Sequence, residues 1–430
     1  DGSYTYVADK ANALAAGATA DDVFTYTVSD GKGGFDTAEL RIAVTGTNDA
    51  PVAANDSGAV AEDATLVVSA ANGVIASGSN PAGTDTDVDG GPLAVSAIRT
   101  GLETGSGSAG TVGTALAGTY GTLTLNADGS YTYVADKANA LAAGATADDV
   151  FTYTVSDGKG GFDTAELRIA VTGTNDAPVA ANDSGAVAED ATLTVSAANG
   201  VISSGSNPAG LDTDVDGGPL AISAIRTGLE TGSGTAGTVG SALAGTYGTL
   251  TLNSDGSYTY VADKANALAA GATADDVFTY TVSDGKGGFD TAELRIAVTG
   301  TNDAPVAAND SGAVAEDATL TVSAANGVIA SASNPAGTDT DVDGGPLAVS
   351  AIRTGLETGS GTAGTVGTAL SGTYGTLTLN SDGSYTYVAD KANALAAGAQ
   401  ADDVFTYTVS DGKGGFDTAE LRIAVTGTND

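Results

Sequence analysis

The chain has 430 residues with 53 acidic and 15 basic side chains, a net charge of −38, and neither histidine nor cysteine. This charge disfavours nucleic acid and anionic membranes as partners, since both are bound through Lys and Arg. The missing residue types exclude disulfides, the usual zinc ligand sets and Ser-His or Cys-His nucleophilic catalysis.

One sequence unit is repeated along the chain. The segment DGSYTYVADKANALAAGA begins at Asp1, Asp128, Asp255 and Asp382. The linker TNDAPVAAND begins at Thr47, Thr174 and Thr301. The spacing of 127 residues is the size of an independent domain and too long for a solenoid repeat. We therefore predict that residues 1–49 are the C-terminal part of a repeat, followed by repeat 1 (50–176), repeat 2 (177–303) and repeat 3 (304–430).

Short segments rich in β-branched and aromatic residues predict strands within each repeat. In repeat 1 the predicted strands A to G are 55–60, 65–70, 92–100, 120–126, 130–135, 149–156 and 164–173. Residues 110–118 indicate an extended loop, and 136–149 indicate one or two helical turns. Seven short strands favour an all-β, immunoglobulin-like sandwich. An eight-stranded jelly roll is the alternative.

Residues 1–49 contain only the predicted strands E, F and G. Such a half-sandwich would expose its inner apolar face to water. We expect either that the chain is a window cut from a longer array or that a neighbouring chain supplies the missing strands.

The acidic residues fall in loops that alternating strands would gather at the two ends of each sandwich. The segment DTDVDGG, 85–91, carries Asp at alternate positions and recurs at 212–218 and 339–345. It resembles the first half of an EF-hand loop, but Ser96, Ser223 and Ser350 stand where the bidentate Glu is needed. The missing oxygens would come from another loop or from the preceding repeat, which predicts a Ca²⁺ site at the joint between repeats. Ordinary Asp/Gly turns are the alternative explanation.

Several motifs resemble the VCBS repeat, a cadherin-like module found in tandem in very large bacterial surface adhesins: GTNDAPVA, AEDATL, DTDVDGG, DGSYTY and FTYTVSDGKGGFDTAELRIAVTGTND. The resemblance covers the whole chain. It implies tandem immunoglobulin-like (cadherin-like) β-sandwich domains arranged as a linear rod, with Ca²⁺ as cofactor. It further implies an extracellular location, secreted or at the bacterial surface, after type I secretion. The E–F region departs from cadherins because it lacks Asp-Arg-Glu.

The candidate Ca²⁺ ligands come from the linker and from the A–B, B–C, E–F and F–G loops. They are Asn48, Asp49, Glu62, Asp63, Asp85, Asp87, Asp89, Asp148, Asp149, Asp157, Asp163, Asn175, Asp176, Glu189, Asp190, Asp212, Asp214, Asp216, Asp284, Asp290, Asn302, Asp303, Glu316, Asp317, Asp339, Asp341, Asp343, Asp411 and Asp417.

The leading functional hypothesis is a non-enzymatic extracellular extender or tether of a large adhesin or surface filament, rigidified by Ca²⁺ at the linkers. In the alternative, the repeats themselves bind carbohydrate or a partner cell through Tyr120, Tyr131, Tyr133 and Tyr153, or self-assemble laterally or head-to-tail. The expected partners are neighbouring repeats of the same chain and identical chains. An enzyme is disfavoured, because the carboxylate pairs that could serve a glycosidase lie in Gly-rich turns.

Overall fold

The computed structural model describes residues 1–76, 83–203, 210–330 and 337–429. Contacts divide the chain into two compact bodies. The first body comprises 1–178 with 213–219 and 286–288, and the second comprises 179–212, 220–285 and 289–430. Within the described residues the elements are strands and 3₁₀ helices of three residues, and no helix has the length and apolar character needed to span a membrane.

Two strands form in residues 1–49 and nine among the described residues of each repeat. The strands of 1–49 are β1 (Thr19–Ser29) and β2 (Phe35–Thr45). Those of repeat 1 are β3 (Asp56–Ala61), β4 (Thr65–Val68), β5 (Ala94–Thr100), β6 (Ala109–Gly110), β7 (Ala115–Ala117), β8 (Thr122–Leu125), β9 (Tyr131–Val134), β10 (Thr146–Ser156) and β11 (Phe162–Thr172). Those of repeat 2 are β12 (Asp183–Ala188), β13 (Thr192–Val195), β14 (Ala221–Thr227), β15 (Ala236–Gly237), β16 (Ala242–Ala244), β17 (Thr249–Leu252), β18 (Tyr258–Val261), β19 (Thr273–Ser283) and β20 (Phe289–Thr299). Those of repeat 3 are β21 (Asp310–Ala315), β22 (Thr319–Val322), β23 (Ala348–Thr354), β24 (Ala363–Gly364), β25 (Ala369–Ser371), β26 (Thr376–Leu379), β27 (Tyr385–Val388), β28 (Gln400–Ser410) and β29 (Phe416–Thr426). The 3₁₀ helices are Ala70–Asn72, Ala197–Asn199 and Ala324–Asn326.

Each repeat is a sandwich of a five-stranded and a four-stranded sheet. In repeat 1 the orders are β3-β11-β10-β5-β6 and β4-β9-β8-β7. Neighbouring strands are antiparallel except β3, which pairs parallel with β11 at the sheet edge. The same orders recur in repeats 2 and 3. The all-β class and the seven predicted strands are confirmed, and the jelly roll is wrong.

The core of each repeat lies between its two sheets, because alternate residues of facing strands point inward. In repeat 1, Leu123 and Tyr133 of the smaller sheet and Phe151, Tyr153 and Leu167 of the larger one are fully buried. Tyr133 and Phe151 meet edge to face with ring centroids 6.3 Å apart. Tyr131 is buried as well, and Tyr120 is partly buried against the core. Three of the four tyrosines named for the carbohydrate-binding alternative are therefore not exposed, as a stacking platform would have to be.

Two loop predictions are wrong. The helical turns predicted for 136–149 do not form, since residues 136–145 are turns and irregular segments and 146–149 begin β10. Gly144 adopts a φ of 78°, and its N–H donates to the O of Gly173, just after β11. Residues 110–118 are not a plain loop, since β7 (Ala115–Ala117) pairs with β8 and extends the smaller sheet.

Residues 1–49 form only the β1–β2 hairpin, so the predicted strand E at their start is wrong. The counterpart of that strand in repeat 1, β9, pairs with β4 and β8, and neither has an equivalent in this segment. The predicted exposure of the inner face is confirmed. Phe24 and Tyr26 are 47% and 49% exposed, whereas Phe151 and Tyr153, at the same places in repeat 1, are fully buried.

A glycine inside the first strand of each repeat lets the two sheets approach. A Cβ on Gly312 would lie 2.9 Å from Leu320 Cδ2, Ile423 Cδ1 and Tyr385 Oη. We expect replacement of Gly58, Gly185 and Gly312 by alanine to lower the free energy of unfolding by about 1–3 kcal/mol per repeat. Urea unfolding followed by far-UV circular dichroism measures this loss.

The matched control replaces Gly105, Gly232 and Gly359 by alanine. A Cβ at each of these would approach its neighbours no closer than 3.4 Å. Equal unfolding midpoints for the two triple variants would contradict the packing argument.

Candidate metal centre

The linker after repeat 2 leaves the end of β20 in a fixed position. Gly300 N–H donates to Ala272 O (2.8 Å), and Gly300 O accepts the N–H of Gly271 (2.9 Å). A Cβ on Gly300 would lie 2.4 Å from Ala269 O. A larger residue would therefore clash with this loop, and glycine allows the linker to pass beside it.

Glu189, in the turn between β12 and β13, holds the linker from the other side. Its N–H donates to Thr299 O (2.8 Å), and its Oε2 accepts the N–H of Thr301 (3.0 Å). Glu189 is 3% exposed, and its Oε1 has no hydrogen-bond partner. Asp190 follows it in the left-handed conformation, with φ of 59°. The turn thus brings a buried carboxylate to the linker.

The acidic triplet of repeat 3 meets the same linker. Asp343 Oδ2 accepts the N–H of Asp303 (2.7 Å), and its Oδ1 accepts the N–H of Ala270. Asp343 N–H donates to Asp341 Oδ1 (2.9 Å). The Oδ2 atoms of Asp303 and Asp341 are buried without a partner. We call Glu189, Asp190, Asp303, Asp341 and Asp343 the seam cluster.

The seam cluster is electrostatically unfavourable as it stands. The pKa of Asp303 is raised by burial and then by the charges of the other four members of the cluster. Three buried carboxylate oxygens in the cluster lack any donor. Such oxygens lose their hydration without compensation, which is unfavourable unless a positive group meets them.

The same arrangement recurs within the first body. Asp89 Oδ2 accepts the N–H of Asp49 (2.6 Å), and its Oδ1 accepts the N–H of Ala16. The pKa of Asp176 is raised by burial and then by four neighbouring charges, those of Glu62, Asp216, Asp63 and Asp214. Oxygens without a partner again occur on Asp176, Asp214 and Glu62. In repeat 3, Glu316 Oε2 accepts the N–H of Thr428 (2.8 Å), as Glu189 does with Thr301.

The linker asparagines and the F–G loop acids hold loops in place. Asn302 Nδ2 donates to Asp411 Oδ2 (2.6 Å), and Asn48 Nδ2 donates to Asp157 Oδ2 (2.7 Å). The Asn302 hydrogen bond, followed by N–H groups of its own loop, lowers the pKa of Asp411. Asn175 and Asp284 stand at the same places in the repeat. The acids at the far end of the loop, Asp163, Asp290 and Asp417, accept the N–H groups of Ala53, Ala180 and Ala307.

Asp148 and Asp149 lie on β10, and their partners belong to the two sheets and to the turn between β7 and β8. Asp149 is 3% exposed and accepts hydrogen bonds from Tyr133 Oη (2.6 Å) and from three backbone N–H groups, those of Thr119, Tyr120 and Gly121. Asp148 is paired with Arg168 at 3.2 Å on the sheet surface. Both carboxylates already have donors, so we leave them out of the candidate centre.

The first acid of each triplet turns into its own repeat. Asp85, Asp212 and Asp339 accept the N–H groups of Ala54, Ala181 and Ala308, and their Oδ2 atoms are buried without a partner. Sequence reasoning missed the buried acids beside them, Asp56, Asp183 and Asp310. The signal was present, because the alternation of β3 places Asp56 on the same inward side as Gly58 and Val60.

The carboxylate oxygens at the seam are suitable ligands for a hard cation. Among the described residues no three acidic side chains are gathered as closely as a formed metal site requires. The buried oxygens without a partner, all from carboxylates, are nevertheless the kind of ligand that Ca²⁺ takes from two loops and a linker. The residues present therefore fit Ca²⁺.

The family comparison gives one extended match. A family model described as the bacterial cadherin-like domain matches residues 48–173, 175–300 and 302–427. A model of the LVIVD repeat matches residues 1–15 only. No curated protein sequence matches the chain.

Solved structures similar to this chain include cadherin ectodomains. The protocadherin gamma B2 extracellular domains 1–5 are 14% identical with a TM-score of 0.45, covering 96% of this chain and 67% of that one. Mouse cadherin-23 EC22–24 is 12% identical with a TM-score of 0.43, covering 88% of this chain and 100% of that one. Drosophila N-cadherin EC1–4 is 11% identical with a TM-score of 0.30, covering 96% and 85%.

Proposed function

Because the chain belongs to the bacterial cadherin-like domain family, we propose that it is a non-enzymatic extracellular extender whose repeats are locked end to end by Ca²⁺ at their linkers. Its repeats, 50–176, 177–303 and 304–430, are the structural units of that extender. The parent molecule is a bacterial surface adhesin or filament, exported by type I secretion. The partners of each repeat are its neighbours in the chain.

The seam cluster is the observation that carries this proposal. It draws carboxylates from the A–B turn of one repeat, from the linker, and from the triplet loop of the next repeat. Glu189, Asp303 and Asp341 each keep one buried oxygen without a donor. A divalent cation supplies the positive charge that these oxygens lack, and it binds carboxylate oxygens in flexible geometry.

The charge of the chain explains why the joint needs a cation. Each repeat carries 15 acidic and 4 basic residues. The arginines of the sheets are engaged elsewhere, since Arg295 pairs with Asp275 and Glu293 on its own sheet. At physiological ionic strength, screening acts over about 8 Å, so the carboxylates within one seam repel each other almost fully. Without a cation the joint is therefore loose.

Small-angle X-ray scattering of the full chain tests this function. In millimolar Ca²⁺ we expect the maximum dimension of a straight rod, and in excess EDTA a smaller or broader distance distribution. Far-UV circular dichroism in EDTA must still show strands, so that loosening is separated from unfolding. A scattering profile that EDTA leaves unchanged would refute the joint.

A double variant of the seam cluster and a matched control extend the scattering experiment. Glu189→Gln with Asp303→Asn removes two charges from one seam, and we expect a broader distance distribution in Ca²⁺. Asp255→Asn with Asp382→Asn also removes two charges, but these acids are exposed and accept only from Ser257 and Ser384 in their hairpins. The control should scatter like the unmodified chain.

A further inference from the structure

A second set of buried acids lies inside each repeat and shares no member with the seam cluster. In repeat 2, Asp183 begins β12 and is 4% exposed, and Asp212 of the triplet loop is 5% exposed. Both belong to the second body, as do Asp310 and Asp339 at the same places in repeat 3. Acids are almost never buried to this extent without a partner.

Each of these acids keeps a buried oxygen with no hydrogen-bond partner. The atoms are Oδ1 of Asp183 and Oδ2 of Asp212, and equally Oδ1 of Asp310 and Oδ2 of Asp339. None of the ion pairs formed among the described residues includes these acids. The pair therefore lacks a positive counterpart within the described part of the chain.

The tyrosine beside Asp183 and Asp212 cannot supply enough hydrogen-bond donors. Tyr280 Oη lies 2.6 Å from Asp183 Oδ2, 2.7 Å from Ala181 O and 3.4 Å from Val201 O. A hydroxyl has one proton, so it satisfies one of these three acceptors. The site is thus rich in oxygen acceptors from carboxylates and main-chain carbonyls, and poor in donors.

The charges of nearby acids act on the hydroxyl of Tyr280. The pKa of Tyr280 is raised by burial, then by its hydrogen bond with Asp183 and the charge of Asp183, and then by the charges of Asp212 and Asp290. Burial raises the pKa of Asp183 to about 7 and that of Asp212 to about 6. Asp290 adds negative charge, although its own oxygens accept the N–H groups of Ala180 and Thr291. Acids from three separate elements therefore act on this one hydroxyl, and Asp183 is the one hydrogen-bonded to it.

We propose that repeats 2 and 3 each hold a second hard cation, Ca²⁺, bound inside the sandwich by the buried acid at the start of the first strand and the first acid of the triplet loop. In repeat 3 these are Asp310 and Asp339. Main-chain carbonyls beside the tyrosine hydroxyl complete the oxygen environment. We call this the internal site.

In repeat 3, Asp310 also lines a surface groove of about 470 Å³ together with Gly312, Leu320, Asn326 and Tyr385. A cation bound by Asp310 and Asp339 links β21 to the triplet loop and lies beside Tyr407 of β28. The internal site therefore stabilises the fold of one repeat, whereas the seam cluster fixes one repeat to the next. Its existence does not depend on the seam.

Counting bound Ca²⁺ on the full chain tests the internal site. Native mass spectrometry should show two fewer ions per chain in the variant Asp183→Asn with Asp310→Asn than in the unmodified chain. The control Asp255→Asn with Asp382→Asn removes the same charge from the same two repeats at exposed positions and should lose none. An unchanged ion count in the first variant would mean that the buried acids hold protons, and the proposal would be wrong.

If the variant Asp183→Asn with Asp310→Asn does not fold, a measurement on the unmodified chain still tests the internal site. Crystals grown with Tb³⁺ in place of Ca²⁺ should show anomalous density between Asp183 Oδ1 and Asp212 Oδ2. Empty density there, with Tb³⁺ bound at the seams, would overturn the internal site and leave the extender function standing. Conversely, Glu189→Gln with Asp303→Asn should remove seam ions only, so the two proposals fail separately.

Discussion

Replacing Asp149, Asp276 and Asp403 by alanine should lower the free energy of unfolding by at least about 3 kcal/mol in each repeat. In repeat 2, Asp276 is 3% exposed. It accepts hydrogen bonds from Tyr260 Oη (2.6 Å) and from the N–H groups of Thr246 (2.7 Å), Tyr247 (3.0 Å) and Gly248 (3.1 Å). Alanine would leave these donors buried and without an acceptor.

The effect is large because this carboxylate ties the two sheets together. Asp276 lies on β19 of the larger sheet, and its donors lie on β18 and on the turn between β16 and β17 of the smaller one. A Cβ on Gly245 in that turn would lie 2.3 Å from Asp276 Oδ2, so glycine is needed to let the turn approach. Urea unfolding in saturating Ca²⁺ measures the loss without interference from metal release.

The neighbouring acids give a matched control. Asp148, Asp275 and Asp402 are exposed, and each forms a surface ion pair with an arginine of its own sheet. Replacing these three by alanine should cost no more than about 1 kcal/mol per repeat, because exposed ion pairs contribute little. A loss as large as that of the buried set would contradict the inter-sheet role.

The strands could be predicted from the sequence because alternation of apolar and polar residues directly records which face of a strand is buried. The segment SYTYVA, for example, places Tyr131 and Tyr133 inward and became β9. The loops could not be predicted in the same way. Residues 136–145 are rich in alanine, but their conformation is set by hydrogen bonds to Gly173, far away in the sequence.

The candidate site could likewise be predicted from the sequence only in part. Sequence spacing identified the acidic loops but could not separate a carboxylate with donors from one without. Asp149 and Glu62 both read as loop acids, yet Asp149 accepts four hydrogen bonds while Glu62 keeps one buried oxygen unpaired. That difference depends on where the other backbone N–H groups lie in space. The acids that remain unpaired form two groups, one at the seams and one inside each repeat.

In the presence of EDTA, the free energy of unfolding should fall as the pH rises from 5 to 8. Burial raises the pKa of Asp183 and Asp310 to about 7 and that of Asp212 and Asp339 to about 6, well above the value of 3.8 for an unburied aspartate. The groups facing them are Asp290 and Tyr280 in repeat 2 and Asp417 and Tyr407 in repeat 3.

The sign of this pH dependence follows from which state, folded or unfolded, keeps its protons. Below pH 3.8 these aspartates are protonated in both the folded and the unfolded chain, so their burial does not lower the free energy of unfolding. Between pH 3.8 and about 7 the unfolded chain has released its protons while the folded chain retains them, so each rise in pH favours unfolding. Above about pH 7 the loss is complete. Each pH unit over which one of these groups keeps its proton only in the folded chain corresponds to about 1.4 kcal/mol, so between pH 5 and 8 the pair loses at most about 4 kcal/mol per repeat.

Calcium should reduce or reverse this slope, because its ligands must be deprotonated and its binding favours the charged carboxylates. Urea unfolding at a series of pH values, in EDTA and in Ca²⁺, measures both slopes. The variant Asp183→Asn with Asp310→Asn should reduce the slope in EDTA without abolishing it, because Asp85, Asp212 and Asp339 keep pKa values of about 6. Acids whose pKa is lowered, such as Asp255 and Asp382, titrate below pH 3.8 and do not contribute in this range. A slope that is undiminished in the double variant, or that is the same with and without Ca²⁺, would show that the buried pair does not control the stability of the metal-free fold.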